Sequence, residues 1–481
     1  MGRLRNGVGV GISNIPTLSS RRPVATPFTP LSLFADGSQG VWYDDSNMAT
    51  MFQDSAGTIA AALESPVGLQ LDLSKSLALG AELVTNGTFA TDTAWTKETG
   101  WSISGGKALF TGIGNKGLIQ NIGLTANAVG SVTIVVDSVT TGGLTIQFGY
   151  NTATTTITTA GTYTYTLSAG AYPSIYIVSV GVSQFVVASV SAKLIAGNHR
   201  FQTTNANRPT LSARYNLLTA TATLSTQSIT TAATSYTIYF TGSGSVVLSG
   251  TYIGTFTAGT NTFTATAGTL TATVVGSVLT ADIRPTNQTT TLPAYQYVTS
   301  SSVYDTVGFP QYINYNTPNG WLATSSINFT ATAQMGVFSG MRKLSTTESI
   351  FVMLGVSLTD NGSFYLDALS TQYDFFSRGT APVEVLSAAS YPSPETATIA
   401  LLTSISAPSL VGKRNGTQIV SSTATQGTGN YSNYPLYFGS RAGVQYFFNG
   451  QEFQTIIVGK TLTATEITNT ETYVNSKTKA Y

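Results

Sequence analysis

The chain has 481 residues and a formal net charge of +1, with 22 Lys or Arg against 21 Asp or Glu. Charged residues make up only 9% of the sequence, against about 25% in ordinary globular domains. There is one His and no Cys, which excludes disulfide folds and thiolate metal sites and removes most acid-base catalysts. We expect no nucleic-acid partner, because the net charge is not strongly positive. We also expect no membrane insertion, because no run of about 18 apolar residues occurs.

Residues 1–35 are rich in Gly, Ser and Pro and contain no acidic residue. Their only charges are four arginines, Arg3, Arg5, Arg21 and Arg22. No continuous apolar stretch follows them, so a secretory signal is not expected. The composition predicts an extended arm, which is either a frayed terminus or a segment that orders on an acidic partner.

Residues 36–79 combine several Asp residues with the adjacent Trp42 and Tyr43, and predict a turn-rich connecting segment. From 80 to 196, aromatic or aliphatic residues alternate with Thr and Ser, the period of half-buried strands. The predicted strands are 131–137, 144–149, 162–167, 173–180 and 184–195. Short strands separated by Gly- or Ser-containing turns indicate an antiparallel jelly roll.

Residues 197–215 are polar and predict a second connecting segment. A small β-sandwich module is expected at 216–290, followed by a Pro-containing linker at 291–309. Its predicted strands are 235–241, 244–249, 262–267, 270–275 and 278–283.

Residues 310–481 contain most of the large apolar strands and predict a larger sandwich. A single helix is expected at its end, because Thr463 and Glu466 form a capping-box pattern and Lys477 and Lys479 suit a helix C-terminus. The predicted fold class is all-β, with several antiparallel sandwich or jelly-roll modules, an N-terminal arm and one short C-terminal helix.

The stretches that carry a family resemblance are 39–58 with 66–76, 197–214, 292–299 with 308–316, 320–329 and 446–481. Together they resemble bacteriophage virion structural proteins of the tail-fibre or receptor-binding kind. The resemblance implies a galactose-binding-like jelly roll at 80–196 and a concanavalin A/laminin G-like sandwich at 310–481. It also implies assembly in the bacterial cytoplasm, display on the virion exterior as a homotrimer, and anchoring to an adaptor, portal or capsid protein through the arm.

The order of these stretches suggests two insertions. Residues 66–76 and 197–203 look like one ancestral segment, and residues 203–211 and 310–316 look like another. Domain insertion is tolerated at surface turns when the termini of the insert lie close together. We therefore expect both small β-modules to decorate one host domain.

Neutral sugars can be recognised by aromatic rings, amides and hydroxyls without charged groups. The candidates are Trp95, Trp101, Asn115 and Lys116 in the jelly roll, and Trp321, Tyr431 and Tyr434 in the last domain. The competing interpretation is that strand aromatics such as these fill the core.

Glycan hydrolysis would require two carboxylates across a cleft. The local acidic groups are Asp44, Asp45 and Asp54, and separately Asp360, Asp367, Asp374 and Glu384. Calcium would be the metal suited to such oxygen ligands, with Asn47 and Asn361 adding to the two groups. His199 is expected to have a structural hydrogen-bonding role.

The resemblance implies a virion fibre, attached to tail or head, that adheres to host surface glycans, and the scarcity of carboxylates favours a non-enzymatic protein. The alternatives are a purely structural collar or capsid decoration protein and a surface-polysaccharide depolymerase. No cofactor is expected.

Overall fold

The structure is a computed structural model that describes residues 27–286, 294–298, 310–315, 319–344 and 348–481. The four arginines of the predicted anchoring arm, and most of the predicted linker at 291–309, lie outside these residues. Their roles therefore stay predictions.

The described strands fall into five stretches of the chain. The first holds β1 (Gly40–Asp44), β2 (Met51–Phe52), β3 (Ser65–Pro66) and β4 (Leu69–Gln70). The second holds β5 (Leu79–Glu82), β6 (Thr96–Lys97), β7 (Trp101–Ser104), β8 (Lys107–Ile113), β9 (Gly117–Asn121), β10 (Val129–Phe148), β11 (Gly161–Ser168) and β12 (Ser174–Ile195). The third holds β13 (Arg200–Phe201) and β14 (Thr210–Ala213).

The fourth stretch holds β15 (Gln227–Thr231), β16 (Thr234–Gly250), β17 (Gly254–Ala265), β18 (Gly268–Val275) and β19 (Leu279–Pro285). The fifth begins with β20 (Gln311–Asn314), β21 (Leu322–Thr324), β22 (Ile327–Asn328), β23 (Gln334–Lys343), β24 (Ile350–Leu354), β25 (Ser363–Ala368) and β26 (Tyr373–Arg378). It continues with β27 (Pro382–Leu386), β28 (Glu395–Ser404), β29 (Ser409–Arg414), β30 (Thr417–Ser422), β31 (Asn433–Tyr434), β32 (Leu436–Phe438), β33 (Gly450–Val458) and the helix α1 (Ala464–Thr478). Short 3-10 turns lie at Pro30–Phe34, Met48–Thr50 and Asn205–Asn207. The all-β prediction with one C-terminal helix is confirmed.

The first, third and fifth stretches form one β-sandwich, here called the host domain. One sheet has the order β3-β14-β20-β33-β23-β28-β29-β30, with β1 also on β33, and the other has the order β2-β4-β13-β21-β32-β24-β25-β26-β27. Their inner faces share one apolar core, which includes Val41, Leu211, Ile313, Val337, Phe364, Phe375, Leu401 and Ile457. Residues 36–79 and 197–215, expected as connections, thus supply strands to both sheets, and their apolar side chains, such as those of Val41 and Leu211, fill part of the core.

The second and fourth stretches form separate sheets with their own cores, here called the first module and the second module. The first module enters and leaves the host domain at one point, where the Ala196 amide donates to the Ala78 carbonyl at 2.9 Å. At the second module, the Gln296 side-chain oxygen accepts the amides of Tyr215 and Asn216 at 2.9 and 3.0 Å. The chain therefore leaves and rejoins the host domain at close-set positions.

The first module docks on the host domain through an apolar seam. Val129 and Ile195 of the module pack with Leu69, Leu71 and Phe201 of the host sheet. The Ser168 amide also donates to the carbonyl of Ala56 at 2.9 Å. These contacts fix the orientation of the first module on the host domain.

Helix α1 begins as the sequence predicts. The Thr463 hydroxyl accepts the Glu466 amide at 3.2 Å, and the Glu466 carboxylate accepts the Thr463 amide at 2.8 Å. The helix covers one outer face of the host domain, where Val474 packs with Phe338 and Ile456. In the part of the chain that the structure describes, no helix is long and apolar enough to cross a bilayer.

Candidate functional site

The two tryptophans predicted for sugar binding in the first module are core residues. Trp95 and Trp101 are 8% and 7% exposed. The Trp101 ring lies 5.3 Å from Phe110 and 5.4 Å from Phe185, and its Nε1 donates to the Lys116 carbonyl at 2.9 Å. Neither ring has a face open to a ligand, because alternation along β7 directs Trp101 inward.

The aromatic candidates of the host domain are also covered. Tyr431 is 1% exposed, and its hydroxyl lies 2.7 Å from that of Ser377. Trp321 packs 5.8 Å from Tyr437, and its buried Nε1 has no hydrogen-bond partner among the described residues. Tyr434 is half-buried on β31. The structure does not bring these three rings together into one open surface.

Asn115 and Lys116 lie in the turn between β8 and β9. Asn115 is exposed and its side-chain oxygen accepts the Gly181 amide at 3.4 Å, while Lys116 is half-buried. This turn lies at the distal end of the module, beside the exposed side chains of Ile113 and Val182. The two candidates are thus accessible, but the neighbouring Trp101, whose Nε1 bonds the Lys116 carbonyl, is buried and offers no open ring face beside them.

Sequence reasoning missed an exposed aromatic cluster in the first module, here called the tyrosine platform and made of Tyr150, Tyr172 and Tyr176. Tyr150 and Tyr172 are 61% and 55% exposed, and Tyr176 is half-buried. The Tyr150 ring lies 5.5 Å from Tyr172 and 5.2 Å from Tyr176, edge to face in both pairs. Tyr150 thus contacts both of the other rings, and because Tyr150 and Tyr172 are largely exposed, the cluster forms a surface suited to stacking.

A tight turn holds Tyr150 in place. Gly149 and Tyr150 both have positive φ, at 66° and 59°, and the Asn151 amide donates to the Phe148 carbonyl at 3.3 Å. These features define a turn that normally favours Gly and Asn. A bulky residue in this left-handed region costs of order 1–3 kcal/mol and persists only when its surroundings impose it.

The platform is braced by backbone hydrogen bonds between its two loops. The Gly149 amide donates to the Ser174 carbonyl at 2.9 Å, and the Tyr172 amide donates to the Gly149 carbonyl at 3.1 Å. The Asn151 side chain donates to the Ser168 carbonyl at 2.9 Å. The positions of Tyr150 and Tyr172 are therefore set before any ligand arrives, which reduces the entropy lost on binding.

The hydroxyls of the platform are available. Within the described residues none of the three has a protein hydrogen-bond partner, whereas the buried tyrosines of the host domain are bonded, as Tyr315 is to Glu452 at 2.7 Å. Tyrosine hydroxyls both donate and accept.

A signal for this surface exists in the sequence, because Tyr150 follows Gly149 and Tyr172 precedes Pro173, which are turn contexts and not strand alternation.

The carboxyls of the first acidic group, Asp44, Asp45 and Asp54, all bond or pair with other groups of the protein. Asp45 is fully buried and accepts hydrogen bonds from Gln70 at 2.9 Å and Arg200 at 3.2 Å. Asp44 pairs with Lys477 at 3.0 Å, and Asp54 accepts the Thr58 amide at 2.9 Å. These carboxyls do not form an open pair across a cleft.

The second acidic group lies partly on three neighbouring strands of the host domain. Asp367 and Asp374 are opposite each other on β25 and β26 and are 3% and 4% exposed. Burial raises the pKa of Asp367 to about 7, and burial with a hydrogen bond shared with Glu384 raises that of Asp374 to about 8. Both carboxyls are thus protonated in much of the folded protein at neutral pH and are closed to a large substrate.

Asp360 does not join that group, because its carboxylate accepts the Val356 and Ser357 amides at 2.7 and 2.8 Å in a turn. No group of three or more His, Cys, Asp or Glu side chains in the described ranges is arranged to hold a metal ion. The calcium ligands considered from sequence, including Asn47 and Asn361, are not gathered into one site there.

His199 has the structural contacts expected from sequence. Its Nδ1 accepts the Asp72 amide at 3.0 Å, so its Nε2 carries the proton and donates to the Ile195 carbonyl at 3.1 Å. Burial lowers its pKa to about 4. It is therefore neutral and fixes the exit of the first module, and both of its ring nitrogens are bonded to backbone groups.

Comparison with known proteins gives only partial likenesses. No family model and no curated protein matches the chain. The binding domain of Paraclostridial Mosquitocidal Protein 1 aligns at 15% identity over 35% of this chain and 43% of that one, with a TM-score of 0.28. The binding domain of botulinum neurotoxin serotype D/C aligns at 13% identity over 36% and 44%, with a TM-score of 0.28.

A third solved structure is the Ruminococcus gnavus IT-sialidase CBM40 bound to alpha2,3 sialyllactose. It aligns at 14% identity over 28% of this chain and 80% of that one, with a TM-score of 0.24. The chain thus spans less than half the length of the two toxin chains that it matches. These overlaps cover only fragments of the fold, and we infer the function from the chain's own residues.

Proposed function

We propose that this protein is a non-enzymatic adhesion protein that binds surface glycans through the tyrosine platform of the first module. The observation that carries the proposal is the contact between Tyr150 and Tyr172, two largely exposed rings on two braced loops. Their hydroxyls have no hydrogen-bond partner among the residues that the structure describes. Aromatic faces stack on the apolar faces of pyranoses, and hydroxyls bond the ring substituents.

The proposed setting is the exterior of a bacteriophage virion, as the sequence resemblance implies. The host domain would position the modules, and the arm with Arg3, Arg5, Arg21 and Arg22 would bind an adaptor, portal or capsid protein. A homotrimer is proposed on the same resemblance. Gold-labelled antibodies against the first module, applied to purified particles, should label a tail or head appendage, and absence of label from intact particles would contradict the virion setting.

The binding proposal is tested by applying the full chain to an array of immobilised oligosaccharides and analysing the bound sugars by mass spectrometry afterwards. We expect retention of the protein on a subset of sugars, each recovered intact. Shortened sugars would support the alternative of a depolymerase. A protein that is folded, shown by its melting curve, and retained on no sugar would favour the alternative of a purely structural decoration protein.

A further inference from the structure

We infer that the tyrosine platform selects uncharged saccharides and rejects sugars that carry a carboxylate or sulfate. This inference rests on the proposed function and adds the chemical class of the ligand. It follows from the absence of charge around the platform in sequence and from the pairing of the few charges that the first module contains.

The strands and loops that build the platform are almost free of charge. Between Lys116 and Lys193 the sequence holds a single ionisable acid or base of the Asp, Glu, Lys, Arg or His type, Asp137. That residue pairs with Lys107. A ligand on Tyr150 and Tyr172 therefore meets rings, hydroxyls, amides and backbone groups from a neutral segment.

The first module also lacks the residue that best binds an anionic sugar. It has no Arg between residues 79 and 195, and bidentate recognition of a carboxylate or sulfate depends on the guanidinium fork. Lys97 pairs with Asp92, and Lys193 lies opposite Glu82 in the sheet. Three of the four lysines of the module thus have an acidic neighbour.

Lys116 is the remaining basic residue and lies away from the platform. Its backbone carbonyl accepts the Ser179 amide, and Ser179 is three residues along β12 from Tyr176, a separation of about 10 Å at the usual strand rise. Glu98 accepts the adjacent Gly117 amide at 2.8 Å and places a carboxylate on the same turn. The charged side chains of the first module thus offer an anion on the platform no net attraction.

Desolvation decides the selectivity. A carboxylate or sulfate laid against the tyrosine rings would lose water without gaining a charged hydrogen bond, which is unfavourable. A neutral pyranose loses only hydroxyl hydration, which the three tyrosine hydroxyls can replace.

The test uses neutral oligosaccharides matched with acidic derivatives of the same backbone, such as lactose with 3′-sialyllactose and with 6′-sulfolactose, across an array. The full chain should bind the neutral member of a pair at least about tenfold more tightly than the acidic member. Its affinity should change less than about twofold between about 0.05 and about 0.5 M NaCl, because no ion pair is formed.

Two failures are distinguishable. An acidic member that binds more tightly than its neutral partner, with loss of that binding in the variant Tyr150→Ala/Tyr172→Ala, would overturn the inference on ligand class and leave glycan adhesion standing. Binding that the double variant retains in full would overturn the proposed site itself. The variant Tyr481→Ala, which removes an exposed tyrosine of the host domain, serves as the matched control.

Discussion

Arg200 and Glu452 lie 252 positions apart in the chain, and the Arg200 Nη1 donates to both oxygens of the Glu452 carboxylate at 3.1 and 2.9 Å. Both side chains are fully buried between the host sheets. Arg200 also donates to Asp45 at 3.2 Å, and its guanidinium lies 4.3 Å from the centre of the Tyr43 ring. One cation therefore joins the three separated stretches of sequence that make the host domain.

Removing this cation should destabilise the host domain strongly. The variant Arg200→Met keeps an unbranched side chain but leaves Asp45 and Glu452 buried without their partner, a change that costs about 3–5 kcal/mol. Chemical denaturation followed by circular dichroism measures the free energy of unfolding. The matched control is Lys107→Met, which breaks the exposed pair with Asp137 and should have little effect. Equal losses in the two variants would contradict the central role of Arg200.

Trp101 should matter for stability and not for binding. Truncation to Ala removes a buried ring that contacts Phe110 and Phe185, and such truncations cost about 3–5 kcal/mol. Differential scanning calorimetry should show a lower melting temperature for the first module. A variant that melts like the wild type but loses glycan binding would instead make Trp101 a ligand residue.

Stability should fall as the pH rises through neutrality. Burial raises the pKa of Asp367 to about 7 and that of Asp374 to about 8 in the folded protein. In the unfolded chain an Asp side chain has its usual pKa of 3.8. Between these pH values the folded protein holds protons that the unfolded chain has lost. The folded state is therefore disfavoured progressively between about pH 4 and about pH 8. His199 acts in the opposite direction, because its lowered pKa of about 4 disfavours the folded state as the pH falls below 6.5.

Melting temperatures should therefore be higher at about pH 6 than at about pH 9. The variant Asp374→Asn, which mimics the protonated side chain, should reduce that difference, whereas the matched control Asp137→Asn, at an exposed position, should preserve it. A melting temperature that is constant or increases over this range would contradict the assignment of a protonated Asp374.

The first module should be removable. Because the Ala78 carbonyl and the Ala196 amide are hydrogen-bonded, residues 79–195 can be replaced by an Asn-Gly turn without moving the host strands. The shortened chain should remain soluble and melt cooperatively, at a reduced temperature because Leu69 and Phe201 lose their apolar cover. Loss of strand signal in circular dichroism would show that the host domain depends on the module.

Much of the β-structure could be predicted from residue alternation, but the lengths of the strands could not. The predicted strands 131–137 and 144–149 are one strand, β10, and 173–180 and 184–195 are one strand, β12. Register shifts between the two strands near Val136 and Thr141 bend the sheet without ending it. Gly142 and Gly181, which resemble turn signals in the sequence, supply positive φ at that bend.

The site was less accessible to sequence reasoning. The sequence predicts that aromatics such as Trp101 stack on sugars, but the strand position of Trp101 buries its ring on the core face. The platform depends on contact between Tyr150 and Tyr172, which lie on loops separated by strand β11. Pairing of β10 and β12 brings those loops together. The turn context of each tyrosine can therefore be recognised from the sequence, but the contact between them cannot.

The most direct test of the proposed binding surface is the affinity of the variant Tyr150→Ala/Tyr172→Ala for the neutral oligosaccharide that the wild-type chain binds best. Biolayer interferometry measures this affinity, and melting curves of the same samples are recorded in parallel. Both rings are largely exposed, so the melting temperature should stay within about 2 °C of the wild type, while the affinity falls by at least about tenfold. An unchanged affinity in a folded double variant would contradict the assignment of the tyrosine platform as the binding surface.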